Sequence, residues 1–188
     1  ISEPVFGHGS GGVRDVVQTS SGIVAVADTW WRAKKARDAV VIEWNAGPNA
    51  KLDNAAISKG LRAAASAAGR VAREDGDVKA AFAAARSKGR VVTADYELPL
   101  LAHATMEPQN CTASVTADGC DIHVPTQIQV VAQGTAAAAA GLPPEKVRVH
   151  TTFLGGGFGR RLEVDFIPAA VEASKAVGAP VKLLWTRE

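Results

Sequence analysis

The stretch "TFLGGGFGRRLEVD", Thr152 to Asp165, joins a run that alternates like a strand, "RVHTTFL", to a run with the spacing of a helix, "EVDFIPAAVEASKAVG". Gly155, Gly156, Gly157 and Gly159 crowd into it, with Phe158 among them. Without Cβ atoms the backbone can take positive φ, and a ligand can come close to the amides. Successive N–H groups beside a helix N-terminus form an anion nest. The guanidinium forks of Arg160 and Arg161 match phosphate geometry. The plainer account is a tight strand–helix connection packed by Phe158. The loop is not a P-loop, because no Gly-Lys-Ser/Thr closes it. It is not a Rossmann fingerprint either, because Arg160 stands where the third glycine would be.

Working outward, "PVKLLW" after the helix reads as a last strand, and "CTASVTADGCDIHVP" before the loop reads as a hairpin. Asp118-Gly119 would be its two-residue turn, with Cys120 facing Ala117. Between them, "TQIQVVAQGTAAAAAGLPPEKV" reads as a helix stopped by Gly141 and Pro143. "RVVTADYELPL" reads as a long strand and "LAHATMEPQN" as an irregular turn. Two further helices are signalled by Asp53 in "LDNAAISKGLRAAASAAG", with Gly69 as its stop, and by Asp77 in "GDVKAAFAAARSKG". Nearer the N-terminus, "GIVAVAD" reads as a strand, "TWWRAKKARDAV" as a helix capped by Thr29, and "VVIEW" (Val40 to Trp44) as a second strand, a β-α-β unit. Composition shifts around Glu74 to Gly76, so the expected class is α+β in two units, 1–73 and 74–188.

Composition narrows the function. The chain has 188 residues, 47% hydrophobic and 21% charged, which is enough for a real core. Twenty-one basic against 19 acidic residues leave a net charge of +2, with no basic stripe carrying interleaved aromatics. A nucleic-acid partner is therefore not expected. No apolar run approaches the ~20 residues of a membrane helix. The compartment stays open. Cys111 and Cys120 lack zinc-site spacing. In the expected hairpin they lie roughly 20 Å apart at ~3.3 Å per residue, so no disulfide is expected. The ends, "ISEPVFGHGSGG" and "VKLLWTRE", read as interior parts of a longer polypeptide.

Three further features bear on chemistry. Gly7, Gly9 and Gly12 match G-x-G-x-x-G, but no strand precedes them, so a surface loop is the expectation. His103 and Glu107 could be metal ligands or an acid–base pair, or Glu107 could accept backbone hydrogen bonds in the turn made by Pro108. Gln127, at a strand-to-helix junction, could cap the helix or offer its amide to a ligand; an amide NH2 donates without adding charge.

"LGGGFGRR" resembles the "GGGFGGK"-type loop of the large, molybdenum-binding subunit of the molybdenum hydroxylases, the xanthine oxidase family. "GIVAVADTWWRAKKARDAVVIEW", "GDVKAAF", "YELPLLAHATMEPQNCTA", "VPTQIQ", "GLPPEKVRVHTTFLGGGFGRR" and "GAPVKLLWTRE" follow in that family's order. "AHATMEPQNCTA" with "GGGFGRRLEVD" is most similar to the isoquinoline 1-oxidoreductase branch, which includes bacterial aldehyde dehydrogenases.

The resemblance implies a hammerhead-type α/β unit (1–73) followed by the N-terminal part of a mixed α+β molybdopterin-binding domain (74–188). It implies that Gln127 hydrogen-bonds an oxo ligand of molybdenum. Gly156 and Gly157 would shape the loop, Phe158 would wall the substrate channel, and the Gly159 amide would touch the cofactor. Arg160 replaces a glycine and Arg161 a lysine, which leaves them a phosphate role. Leu162 stands where purine-oxidising relatives carry a glutamate, which implies an aldehyde or an N-heteroaromatic as substrate. The implied cofactor is molybdopterin with molybdenum, as a cytosine dinucleotide in bacteria. The implied partners are a small subunit with [2Fe–2S] clusters and the remainder of the large subunit. No acidic residue of this chain matches the family's catalytic glutamate, so the expectation is a fragment inactive by itself. The rival expectation is a non-catalytic anion-binding or assembly module built on the glycine loop.

Overall fold

Period-two alternation in "NCTASV" and "CDIHV" puts Cys111, Ala113, Cys120, Ile122 and Val124 on one face and polar residues on the other. The computed structural model, which describes residues 12–187, builds a four-stranded sheet on that alternation. Its order is β5 (Val147–Thr151), β4 (Cys120–Val124), β3 (Asn110–Val115), β6 (Val181–Leu184) once the hairpin β1 (Val13–Thr19)–β2 (Gly22–Ala27) is counted first in the chain. β4 and β5 are parallel; β3 runs antiparallel to β4 and β6.

Among the described residues five α-helices accompany the strands: α1 (Trp30–Ala39), α2 (Asn54–Ser66), α3 (Val78–Ser87), α4 (Gln129–Ala140) and α5 (Phe166–Val177). α4 is the crossover that parallel pairing of β4 with β5 requires. Its buried face is alanine alone, Ala132, Ala136, Ala137 and Ala140. Such small side chains let it pack closely on α5, which brings Phe166, Ile167, Ala170 and Val171 to the sheet. Gly141 and Gly178 end α4 and α5 in the left-handed conformation.

The chain divides into two units. One holds the sheet, the hairpin, α1, α4 and α5, from the described residues up to Glu43 and from Ala102 onward; the other is Trp44–Leu101, with α2 and α3. In the second unit neither helix buries a residue, and Glu97 binds Ser58 and Arg62 of α2. The expected N-caps hold: Thr29, Asp53 and Asp77 accept from Arg32, Ala56 and Ala80.

Three expectations are corrected. Val40–Trp44 and Arg90–Leu100 are not strands, so the β-α-β unit is absent; β2 pairs instead with β1 in an antiparallel hairpin. A strand's hydrogen bonds go to a neighbour, and none of the described strands pairs with either segment. The β3–β4 register also differs: Cys120 faces Val115, not Ala117, across a four-residue loop. A two-residue turn of the Asp-Gly type needs positive φ at both positions. Gly119 is not among the positive-φ glycines, and a Cβ there would lie 2.9 Å from the Lys146 carbonyl oxygen. Thr116 closes the wider loop, its hydroxyl accepting from the Asp118 and Gly119 amides. α2 stops at Ala67, ahead of Gly69. Gly7 and Gly9 lie outside the described residues.

Both cysteines are free and buried. Burial pushes the Cys111 thiol up to about 12, with the neighbouring Cys120 adding to the effect. The folded state therefore holds a proton that the unfolded chain releases above its ordinary value of 9.0. Stability contributed by the neutral thiol is complete below about pH 9 and is lost as pH rises toward 12. Denaturant titrations at about pH 8 and pH 10 should show this decline, and the variant Cys111→Ala should show a shallower one. Neither thiol of the folded protein should react with a thiol reagent.

Candidate functional site

β4 and β5 end, and β3 begins, on the same edge of the sheet, and the loops leaving that edge meet there. They are 102–109 before β3, 125–128 after β4 and 152–165 after β5. The C-terminal ends of parallel strands are the usual location of ligand sites in open sheets.

Arg161 lies under the glycine loop with no exposed surface. Its Nε donates to the Gly156 carbonyl at 2.7 Å. Nη2 donates to the Glu107 carbonyl and to Glu107 Oε2, both at 2.8 Å. Nη1 reaches Gln109 Oε1 at 3.3 Å and the Pro125 carbonyl at 3.5 Å. Burial lowers the Arg161 pKa, and the Glu107 carboxylate opposes that shift. Arg161 is therefore not a surface ligand for phosphate, which corrects the expectation from its charge. Arg160 is turned the other way: its guanidinium forks onto Asp165 through two 3.0 Å bonds and lies 5.6 Å from the Trp185 ring centroid.

Glu107 is a structural acceptor. Oε1 takes Asn110 Nδ2 at 2.8 Å, and Oε2 takes the Gly155 amide at 2.8 Å beside Arg161. With both oxygens engaged it is not a free base, and it makes no hydrogen bond with His103 among the described residues. No group of three or more metal-ligating side chains occurs among them either. His103 is exposed, and its Nε2 lies 3.8 Å from where a Gly159 Cβ would be.

Gln127 sits over the loop. Its backbone amide donates to the Arg161 carbonyl at 3.2 Å, and its Oε1 accepts the Arg161 amide at 3.3 Å. The side chain is exposed, and Nε2 has no protein partner among the described residues. A Cβ at Gly157 would stand 2.6 Å from Gln127 Oε1, so only glycine admits this approach. Among the described residues, no protein acceptor takes the N–H of Gly156, Gly157, Phe158 or Gly159. Phe158 has φ of 53° and is 75% exposed. A left-handed non-glycine residue of this kind is strained by about 1–3 kcal/mol.

The structure thus brings together Gln127, Gly156, Gly157, Phe158, Gly159 and Arg160 on one edge. Sequence reasoning missed Gln109 and Thr126, both buried; Thr126 donates its hydroxyl to the Arg161 carbonyl. Only their adjacency to Glu107 and Gln127 marked them. The arrangement leaves five neutral donors without a protein acceptor among the described residues, four backbone amides and one side-chain amide, which suits oxo or phosphate oxygens.

Residues 63–188 match the family of the molybdopterin cofactor-binding domain. The chain is 30% identical to isoquinoline 1-oxidoreductase subunit beta of Brevundimonas diminuta, over 94% of this chain and 24% of that protein. It is 34% identical to a membrane-bound aldehyde dehydrogenase (pyrroloquinoline-quinone) of Gluconacetobacter polyoxogenes, over 88% of this chain and 21% of that one. The chain therefore spans about a quarter of the length of these relatives. Its fold is similar to that of quinoline 2-oxidoreductase from Pseudomonas putida 86, with a TM-score of 0.62 at 20% identity, over 90% of this chain and 23% of that one.

The two close approaches separate by what must give way. At Gly155 an added Cβ would overlap the Cβ of Glu107, which is anchored by Arg161 and Asn110. At Gly157 it would meet the exposed end of Gln127. Thermal denaturation should show Gly155→Ala destabilised by about 1–3 kcal/mol, the range of overpacking. Gly157→Ala should lose less than about 1 kcal/mol and displace only the glutamine.

Proposed function

Since the chain belongs to the molybdopterin cofactor-binding domain family, we propose that Gln127 and the loop Gly155–Arg160 form one wall of the cofactor site in the large subunit of a molybdenum-dependent oxidoreductase. The parent enzyme hydroxylates an N-heteroaromatic compound or oxidises an aldehyde, with water as the oxygen source. The observation that carries this reading is the row of unpartnered donors: the amides of Gly156 to Gly159 beside Gln127 Nε2. A cofactor rich in oxo, phosphate and pterin acceptors fits such a row.

Gln127 presents its NH2 to an oxo group without adding charge, while its Oε1 is held by the Arg161 amide. Gly157 admits that side chain, and Gly156 and Gly159 present their amides. Phe158 offers an apolar wall that excludes water beside the reacting carbon. Arg160 would reach a phosphate only by exchanging it for Asp165. When bound, molybdopterin in its cytosine dinucleotide form would supply the redox chemistry, and a small subunit with [2Fe–2S] clusters would be the electron outlet. Leu162 is half-exposed at the end of the loop and leaves that side apolar, which suits an aldehyde or an aromatic ring better than a purine. The general base comes from the remainder of the large subunit, so this chain alone is inactive. In the same reading 74–188 is the first part of the cofactor domain, and 1–73 is a hammerhead-type unit represented by the β1–β2 hairpin and α1.

The anion-module alternative shares those amides but gains no cationic ligand from the geometry, because Arg161 is paired with Glu107 and Arg160 with Asp165.

Gln127→Ala in the parent enzyme should stay folded and keep its molybdenum. Turnover on a panel of aldehydes and N-heteroaromatics should fall by roughly a hundred- to a thousandfold, the range for a lost oxyanion-type donor. Full molybdenum content with unchanged kinetics would remove Gln127 from the site. A parent protein that carries no molybdenum, measured by elemental analysis, would overturn the reading as a whole.

A further inference from the structure

We propose that Arg161 is the positioning residue of this site: its buried side chain fixes the direction of the Gln127 amide and the shape of the glycine loop before any cofactor arrives. The proposal rests on the reading of Gln127 as cofactor-facing.

The side chain holds three separate segments at once. Its five contacts go to Glu107 and Gln109 on the first, Pro125 on the second and Gly156 on the third. Clamped this way, the Arg161 main chain becomes a fixed edge. Its carbonyl accepts the Gln127 amide and the Thr126 hydroxyl. Its N–H donates to Gln127 Oε1 at 3.3 Å. Only the oxygen of a carboxamide can accept an N–H, so this bond selects one of the two amide orientations. The selected orientation leaves Nε2 without a protein acceptor among the described residues. Through Glu107, the same side chain also holds the Gly155 amide, at the other end of the glycines.

No ligand can touch the Arg161 guanidinium, because it has no exposed surface. Any influence on the reaction must pass through Gln127 and the loop. Charge alone does not serve this purpose. A lysine ammonium is a point charge with three donors, whereas the guanidinium offers five in a rigid plane.

The test uses the whole parent subunit, with and without its cofactor. In the loaded enzyme, Gln127→Ala should lower turnover roughly tenfold or more, but less than about threefold in the Arg161→Lys background, since coupled residues are non-additive. In the cofactor-free subunit, Arg161→Lys should speed hydrogen exchange of the Gly155 and Gln127 amides roughly tenfold, with the β3 amides unchanged as the measure of global stability. Additive losses in the loaded enzyme, or unchanged exchange in the free subunit, would overturn the proposal. A silent Gln127→Ala in the wild-type background instead refutes the cofactor role of Gln127; the exchange measurement then decides the positioning role alone. If Arg161→Lys does not accumulate folded, Glu107→Gln replaces it in both arms: it keeps the shape and withdraws the charge that Nη2 meets.

Discussion

A guanidinium without solvent contact must find its partners inside the protein, and here they come from three loops that are distant in sequence. Leaving such a buried charge unpaired costs about 3–5 kcal/mol. The Arg161–Glu107 pair therefore obliges residues 105–110, 125–127 and 155–161 to adopt one mutual arrangement. Burial pulls the Arg161 pKa down and the Glu107 carboxylate restrains that fall. Neutral acceptors, the carbonyls of Glu107, Pro125 and Gly156 and the side chain of Gln109, satisfy the other Arg161 N–H groups, while Asn110 and the Gly155 amide donate to Glu107.

The rigid layer beneath makes this arrangement possible. β3, β4 and β5 deliver the three loops to one sheet edge because β4 and β5 are parallel and β3 is antiparallel to β4. Parallel pairing needs a crossover, and α4 fits as that crossover because its buried face is alanine. α5 then follows the glycine loop directly, and its first residues, Phe166 and Ile167, are fully buried. The loop is thus held at both ends, by Thr151 of β5 and by the packed start of α5. Between them the backbone supports left-handed φ at Gly156, Phe158 and Gly159, of 98°, 53° and 91°.

Local signals in the sequence were read well. Side-chain caps at Thr29, Asp53 and Asp77, and the glycine stop at Gly141, depend on neighbours a few residues away. Segments whose structure depends on a distant partner were not. Val40–Trp44 and Arg90–Leu100 carry strand-like apolar alternation, but alternation specifies only one side of a ladder, and among the described residues neither finds the other. The β3–β4 register failed for a related reason: Gly119 is needed for close approach to Lys146, a contact 27 residues away in sequence, and not for a positive φ. At the site, Arg160 and Arg161 are adjacent and chemically identical. Nothing local tells the partly buried fork on Asp165 from the fully buried clamp on Glu107.

This difference between the arginines changes what the glycines imply. Gly155 and Gly157 are required by the protein's own side chains, Glu107 and Gln127, which occupy the space a Cβ would fill. Glycine at 155 would therefore be favoured even if nothing bound, whereas at 157 it serves the placement of Gln127. What is left for a ligand is the remainder: four backbone N–H groups and one amide NH2 without an acceptor among the described residues. Both cationic side chains are already neutralised, Arg161 by Glu107 and Arg160 by Asp165. An oxygen-rich group at this edge meets oriented dipoles and little net charge. Dipoles fixed in advance stabilise negative charge on such a group without the reorganisation that water would need.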